Sequence, residues 1–151
     1  MTSIQWKEAR FNDLSLSELY ELLRLRSQVF VVEQDCVYQD LDGLDQESWH
    51  LLGFLDGTLV AYARLLPPGL AYPTPAIGRI VVPFDQRKMH YGQAVVQRSI
   101  KFLQYHFKGQ DIAIMAQLYL EGWYEQFGFK RVSDVFLEDG IPHIKMVLPT
   151  L

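Results

Sequence analysis

Arg87, Lys88 and Gly92 stand together in the stretch 78–97, GRIVVPFDQRKMHYGQAVVQ, and their order suits the binding of a phosphate. An apolar run containing Ile80, Val81 and Val82 precedes a polar loop, and Gly92 opens a segment of helical character. The first amides of a helix have no intrahelical acceptor and carry a partial positive charge, so such a junction takes up anions. Gly92 would let a phosphate approach the backbone closely, and Arg87 and Lys88 add countercharge. The same residues also read as an ordinary strand-to-helix loop with solvated basic side chains. Neither GxxxxGK[ST] nor GxGxxG occurs here, which excludes the usual nucleotide and dinucleotide loops.

Other residues invite chemistry less directly. Residues 33–48 carry no Lys or Arg and include Glu33, Asp42 and Asp45. Such a stretch could draw in a cationic amine by Coulomb attraction, or be a solvated loop with Asx-turn chemistry at Asp42-Gly43. It lacks the spacing and terminal glutamate of a calcium loop. Arg64 and Arg79 fall inside apolar runs and are expected to pair structurally with the acidic stretch. Cys36 is the only cysteine. No nucleophile motif surrounds it, so it reads as a packed thiol. His50, His90, His106 and His143 have no HxH or HxxxH spacing, so no metal site is expected. Tyr119, Trp123 and Phe127 recur at intervals of four and read as core or groove wall. Tyr124, between Leu120 and Phe127, reads by spacing alone as readily as a core aromatic.

The elements that must hold these residues follow from periodicity and turn chemistry. Ile4 to Phe11 reads as a strand. Ser15 with Glu18 three residues on forms a capping box, and apolar residues from Leu16 to Phe30 predict a helix to about Val32. Two apolar runs, 49–55 and 58–66, flank Asp56-Gly57, a strong hairpin signal. Pro67, Pro68, Pro73 and Pro75 mark a loop. A strand over 76–82 follows, then a helix from about Gly92 to Phe107, a buried strand over 111–117, and a short helix over 118–127 ended by Gly128. Strands at 129–137 and 143–148 flank Asp139-Gly140. The expected fold is α/β (α+β), a mixed sheet of six to seven strands with about four helices and a parallel central crossover.

A chain of 151 residues, 49% hydrophobic and 21% charged, reads as a single domain, 1–151, with its own core. A net charge of −4 argues against a general nucleic-acid binder. No basic stretch followed by an apolar one opens the chain, and no apolar run nears the ~20 residues of a membrane span. With a lone cysteine, these features predict a soluble, cytoplasmic protein without membrane partners. The apolar C-terminal strand ending at Leu151 could pair across a homodimer.

Arg87-Lys88-Met89-His90-Tyr91-Gly92 resembles the pyrophosphate loop of GNAT acetyltransferases, R/Q-x-x-G-x-G/A, with His90 where the first glycine is expected. VFVVEQDCVYQDLDGLD (29–45), GRIVV (78–82), WYEQFGF (123–129) and EDGIPHIKM (138–146) resemble the ElaA-like subfamily of GNAT proteins along nearly the whole chain. The resemblance implies a GNAT fold and direct acetyl transfer from acetyl-CoA to a primary amine, with no metal. It implies that Ile80, Val81 and Val82 receive the pantetheine arm, and that amides from Arg87 through Lys88, Met89, His90, Tyr91 and Gly92 to Gln93 receive the pyrophosphate. It implies Tyr124 as general acid for the thiolate. No carboxylate or histidine lies in 76–82, so Glu33 and His143 are the candidate bases or substrate contacts, each equally readable as structural. Glu33, Asp42 and Asp45 are candidate amine contacts. A catalytically weak acyl-CoA-binding sensor or interaction module is the alternative to an enzyme.

Overall fold

The computed structural model describes residues 3–150. The elements run β1 (Gln5–Arg10), α1 (Leu16–Arg26), β2 (Trp49–Leu55), β3 (Thr58–Leu66), β4 (Ala76–Val81), α2 (Tyr91–His106), β5 (Ile112–Gln117), α3 (Glu121–Glu125), β6 (Lys130–Arg131), β7 (Phe136–Glu138) and β8 (Ile141–Leu148). Their sheet has the order β1-β2-β3-β4-β5-β8-β6, with β7 also on β8. Only β4 and β5 run parallel. A parallel pair needs a crossover, and α2 supplies it.

The local signals act as expected. Ser15 Oγ accepts the Glu18 amide at 3.0 Å while Glu18 Oε1 accepts the Ser15 amide at 2.8 Å, which closes the capping box. Asp56 and Gly57 take φ of 50° and 80°, the doubly left-handed turn that suits the twist of β2 and β3. The sheet is covered on both faces. Leu22 and Val29 pack on Leu52, Leu59, Tyr62 and Val81. Val95, Val96, Phe102 and Leu103 of α2 pack on Leu51, Ala61, Ala63 and Leu65. With both faces buried, β2 and β3 need no polar alternation.

Three features differ from the expectations. The sheet has eight strands because 129–137 does not run unbroken. Ser133 Oγ accepts the Lys145 amide at 2.8 Å, so a side chain stands in for the ladder and splits the run into β6 and β7. The first helix is α-helical only to Arg26; Ser27–Glu33 continue it as a π-helix. Finally, β8 has β5 on one side and β6 and β7 on the other. Along Ile141–Leu148 the strand is therefore flanked on both sides within this chain; Leu151, where the expected dimer strand ended, lies outside the described residues. No helix among the described residues is long and apolar enough to cross a membrane.

Candidate active site

β4 and β5 meet at a single pair, Ala76 with Ala113. Beyond it β5 pairs only with β8, from Ile112 on Leu148 to Gln117 on His143. β4 stays on β3, but its register gains a residue: Arg64 faces Gly78 and Tyr62 faces Val81. The extra residue makes a bulge, and within it Arg79 has φ of 49°. The two central strands thus part and leave facing backbone edges. Between them opens a cleft of about 860 Å³ whose walls include Ile80, Val82, Arg87, Gly92, Tyr119, Tyr124, Glu138 and His143.

One end of the cleft is formed by the loop that leads into α2. Phe84–Met89 form a 3-10 turn. His90, at φ 62°, turns the chain into α2, and no side chain caps the helix. The amides of Tyr91, Gly92 and Gln93 therefore keep the partial positive charge of a 16-residue helix. His90 holds the left-handed position that a glycine would fill most easily, a conformation that His adopts more readily than most side chains. A Cβ on Gly92 would meet nothing closer than Trp123 Cζ2 at 3.5 Å. The fold itself thus tolerates a methyl there. Lys88, Met89 and His90 are exposed on the turn, and Gln93 Nε2 donates to Gln126 Oε1 at 3.0 Å.

Trp123 carries α3 against the start of α2, and the next residue, Tyr124, is 7% exposed. Burial and the nearby Tyr119 push the Tyr124 phenol well above its usual range, so it remains protonated at neutral pH. Tyr119 was read from the sequence only as part of an aromatic stripe. It is exposed and lines the same cleft.

His143 lies on β8 at the far wall. Its Nδ1 is 2.7 Å from the Ile141 carbonyl oxygen. A carbonyl can only accept, so Nδ1 carries the hydrogen, and in the neutral ring Nε2 holds the lone pair. Nε2 stands 3.5 Å from Glu138 Oε2. Glu138 was missed in the sequence because its partner lies across a hairpin turn. The other base candidate, Glu33, forms a two-point ion pair with Arg87, Nη2 to Oε1 at 2.9 Å.

The acidic stretch is arranged differently from an open electrostatic funnel. Asp45 is 5% exposed and accepts from Arg26 at 2.8 Å and Arg64 at 3.0 Å. Asp42 lines the cleft but takes two hydrogen bonds from Arg64, both at 2.8 Å. Burial opposes ionisation of Asp42, yet the Arg64 and Leu44 hydrogen bonds outweigh it and hold its carboxyl at about 2. With Asp40 held by Arg26 and Arg79, three carboxylates and three guanidinium groups compensate one another. The charge of Asp42 and Asp45, the carboxylates expected to meet an amine, is thus already paired with arginines. The same network gives Arg64 and Arg79 the structural pairing expected of them. His50 is buried in the same region. Its Nε2 donates to the Asp45 carbonyl at 2.8 Å, so Nδ1 accepts from the Tyr62 hydroxyl at 2.6 Å. Cys36 Sγ donates to the Asp139 carbonyl at 3.4 Å.

An acetyltransferase (GNAT) domain model matches residues 14–149. The chain belongs to the GNAT acetyltransferase family. Within it, a UPF0039 protein of Synechocystis is 44% identical over 145 residues, covering 95% of this chain and 94% of the relative. Protein ElaA of Escherichia coli is 41% identical over 145 residues and 95% of each chain, and its crystal structure superposes with a TM-score of 0.90 over 96% of this chain and 99% of its own. A crystal structure described as an acyl-CoA N-acyltransferase from Pseudomonas aeruginosa is 40% identical, with a TM-score of 0.91 over 96% of this chain and 99% of that one. The GNAT fold and the ElaA-like membership read from the motifs are thereby established, and the split β4–β5 pair stands at the centre of that fold.

Proposed function

We propose that this GNAT protein transfers an acetyl group from acetyl-CoA to a primary amine. One observation carries the reading: the parted β4 and β5 open a single cleft that joins the uncapped start of α2 to Tyr124 and His143. The residues fit the donor. Arg87 and the amides up to Gln93 would hold its diphosphate, and the free edge of Ile80 to Val82 would receive the pantetheine amides. Bound there, acetyl-CoA supplies an activated acyl group with a thiolate leaving group.

The chain's own groups then divide the proton traffic. Tyr124, kept protonated by burial, donates a hydrogen bond or proton where the thiolate emerges. His143 offers the Nε2 lone pair to a proton from the amine, and Glu138 lies where it compensates the imidazolium that results. His143 is favoured as the base because the Ile141 carbonyl holds its Nδ1–H and leaves Nε2 as the acceptor, whereas Glu33 pairs with Arg87 until a diphosphate competes for that guanidinium. Backbone amides along the bulged edge of β4 would serve as donors to the negative charge that develops on the thioester oxygen.

The experiment is a thermal-shift titration with coenzyme A and acetyl-CoA, followed by release of free thiol across a panel of amines. Ligand binding to the native state should raise the melting temperature, and at least one amine should release thiol. No stabilisation by either nucleotide would remove the donor site. Stabilisation without thiol release from any amine would leave an acyl-CoA-binding module instead of an enzyme.

A further inference from the structure

Arg79 lies in the β4 bulge beside the cleft, and nothing local explains why it adopts its conformation. It is a side-chain-bearing residue at φ 49° inside a strand, in the left-handed position that glycine usually fills in such a bulge. What holds it is distant in sequence. Arg79 Nε donates to Asp40 Oδ1 at 2.8 Å, and Nη2 donates to the Asp40 carbonyl at 2.9 Å. The guanidinium also lies 5.9 Å from the centre of the Tyr38 ring. Asp40 is itself fixed, 4% exposed, with its other oxygen taken by Arg26 Nε at 2.9 Å. Arg26 is the last residue of α1 and has no exposed surface. A rigid line thus runs from α1 through Asp40 to the backbone of β4.

We infer that Arg79 and Asp40 are positioning residues: their ion pair holds the β4 bulge in its left-handed turn and so keeps the edge of β4 from Ile80 to Val82 open to the donor. The inference rests on the donor site proposed above. A positioning role is distinct from one in binding: Arg79 also lines the cleft, but its Nε and Nη2 donate to Asp40, and Nη2 also lies 3.4 Å from Asp42 Oδ2. Without the anchor, an L-residue at position 79 favours regular extended geometry. The extra residue then has no fixed place, and the β4 edge loses its definition.

The test compares Arg79→Ala with Arg79→Gly. Both delete the guanidinium and leave Asp40 paired to Arg26, so both lose the same charge. They differ in the backbone alone, since glycine enters the left-handed region freely. Two measurements are made on the full chain: amide hydrogen exchange over residues 77–82 without ligand, and coenzyme A affinity by calorimetry. In Arg79→Ala the exchange pattern over 77–82 should change and affinity should fall about tenfold, equivalent to ~1.4 kcal/mol. In Arg79→Gly both should return most of the way to the parent. Asp40→Asn should resemble Arg79→Ala in exchange pattern while the chain stays folded by circular dichroism.

Equal loss in the alanine and glycine variants would mean the guanidinium acts on the ligand directly and would overturn the inference. Parent-like exchange and affinity in both would overturn it as well. If the parent protein itself fails to bind coenzyme A, the donor site falls, while the exchange comparison still decides whether the ion pair shapes the bulge.

Discussion

Arg87 reaches across the mouth of the cleft and grips Glu33, Nη2 to Oε1 at 2.9 Å, while its Nε donates to the carbonyl of Val82 at 3.2 Å. The pair ties the end of the π-helical segment to the loop proposed to hold a diphosphate. Both partners are partly exposed, so their mutual attraction is small, and a doubly charged phosphate group competes for the same guanidinium. Glu33→Gln should therefore tighten coenzyme A binding by up to about fivefold, the range of an exposed ion pair. Arg87→Ala should weaken it by about tenfold or more, the range of charge-assisted hydrogen bonds. Calorimetric titration of the two variants checks both signs, and tighter binding in Arg87→Ala would refute the site.

Gly92 and His90 separate the needs of the ligand from those of the fold. A methyl on Gly92 meets only ordinary contacts with Trp123, so Gly92→Ala should melt close to the parent temperature yet bind coenzyme A about tenfold more weakly through crowding of the close approach. His90→Gly should do the reverse. Relief of the left-handed conformation, worth ~1 kcal/mol, should raise the melting temperature by about 2–4 °C with donor affinity unchanged. A thermal melt and a titration on each variant suffice.

Tyr124 makes no hydrogen bond to another protein group among the described residues, so removing its oxygen leaves no orphaned partner. Tyr124→Phe should fold and bind coenzyme A as the parent does. With a responsive amine in hand, its kcat should fall by about 100-fold or more, the usual range for loss of a general acid. Unchanged turnover would take Tyr124 out of the chemistry.

The buried charges set a two-stage acid response. Burial drives His50 below its usual 6.5, so the unfolded chain takes up that proton first. Its contribution to stability is whole above about pH 6.5 and declines as pH falls below it. Asp42 and Asp45 are held below their usual 3.8, Asp42 at about 2. Their contribution is present above about pH 4 and is lost as pH falls toward 2. Urea unfolding across pH 7 to 3 should show both declines. His50→Gln should flatten the first and leave the second. A parent profile flat from pH 7 to 5 would contradict the His50 assignment.

The order of elements was readable from the chain because its causes are short-range. Ser15 and Glu18 meet within one helical turn, Asp56-Gly57 closes its hairpin within two residues, and the apolar periods of 76–82 and 92–107 need no partner to be recognised. The same is true of the loop from Arg87 to Gly92, whose proposed role depends on adjacent amides. Family membership followed from such contiguous segments.

The tertiary structure alone decided which charges meet and where the sheet opens. Asp40 lies 14 residues from Arg26 and 39 from Arg79, and Glu33 lies 54 from Arg87. A run of carboxylates looks the same in sequence whether it faces solvent or three arginines, two of them buried; burial decides between them, and burial belongs to the whole fold. The bulge has the same character. Residue type predicts glycine at a left-handed position, and Arg79 is held there only because chain closure brings Asp40, itself fixed by Arg26, to its guanidinium.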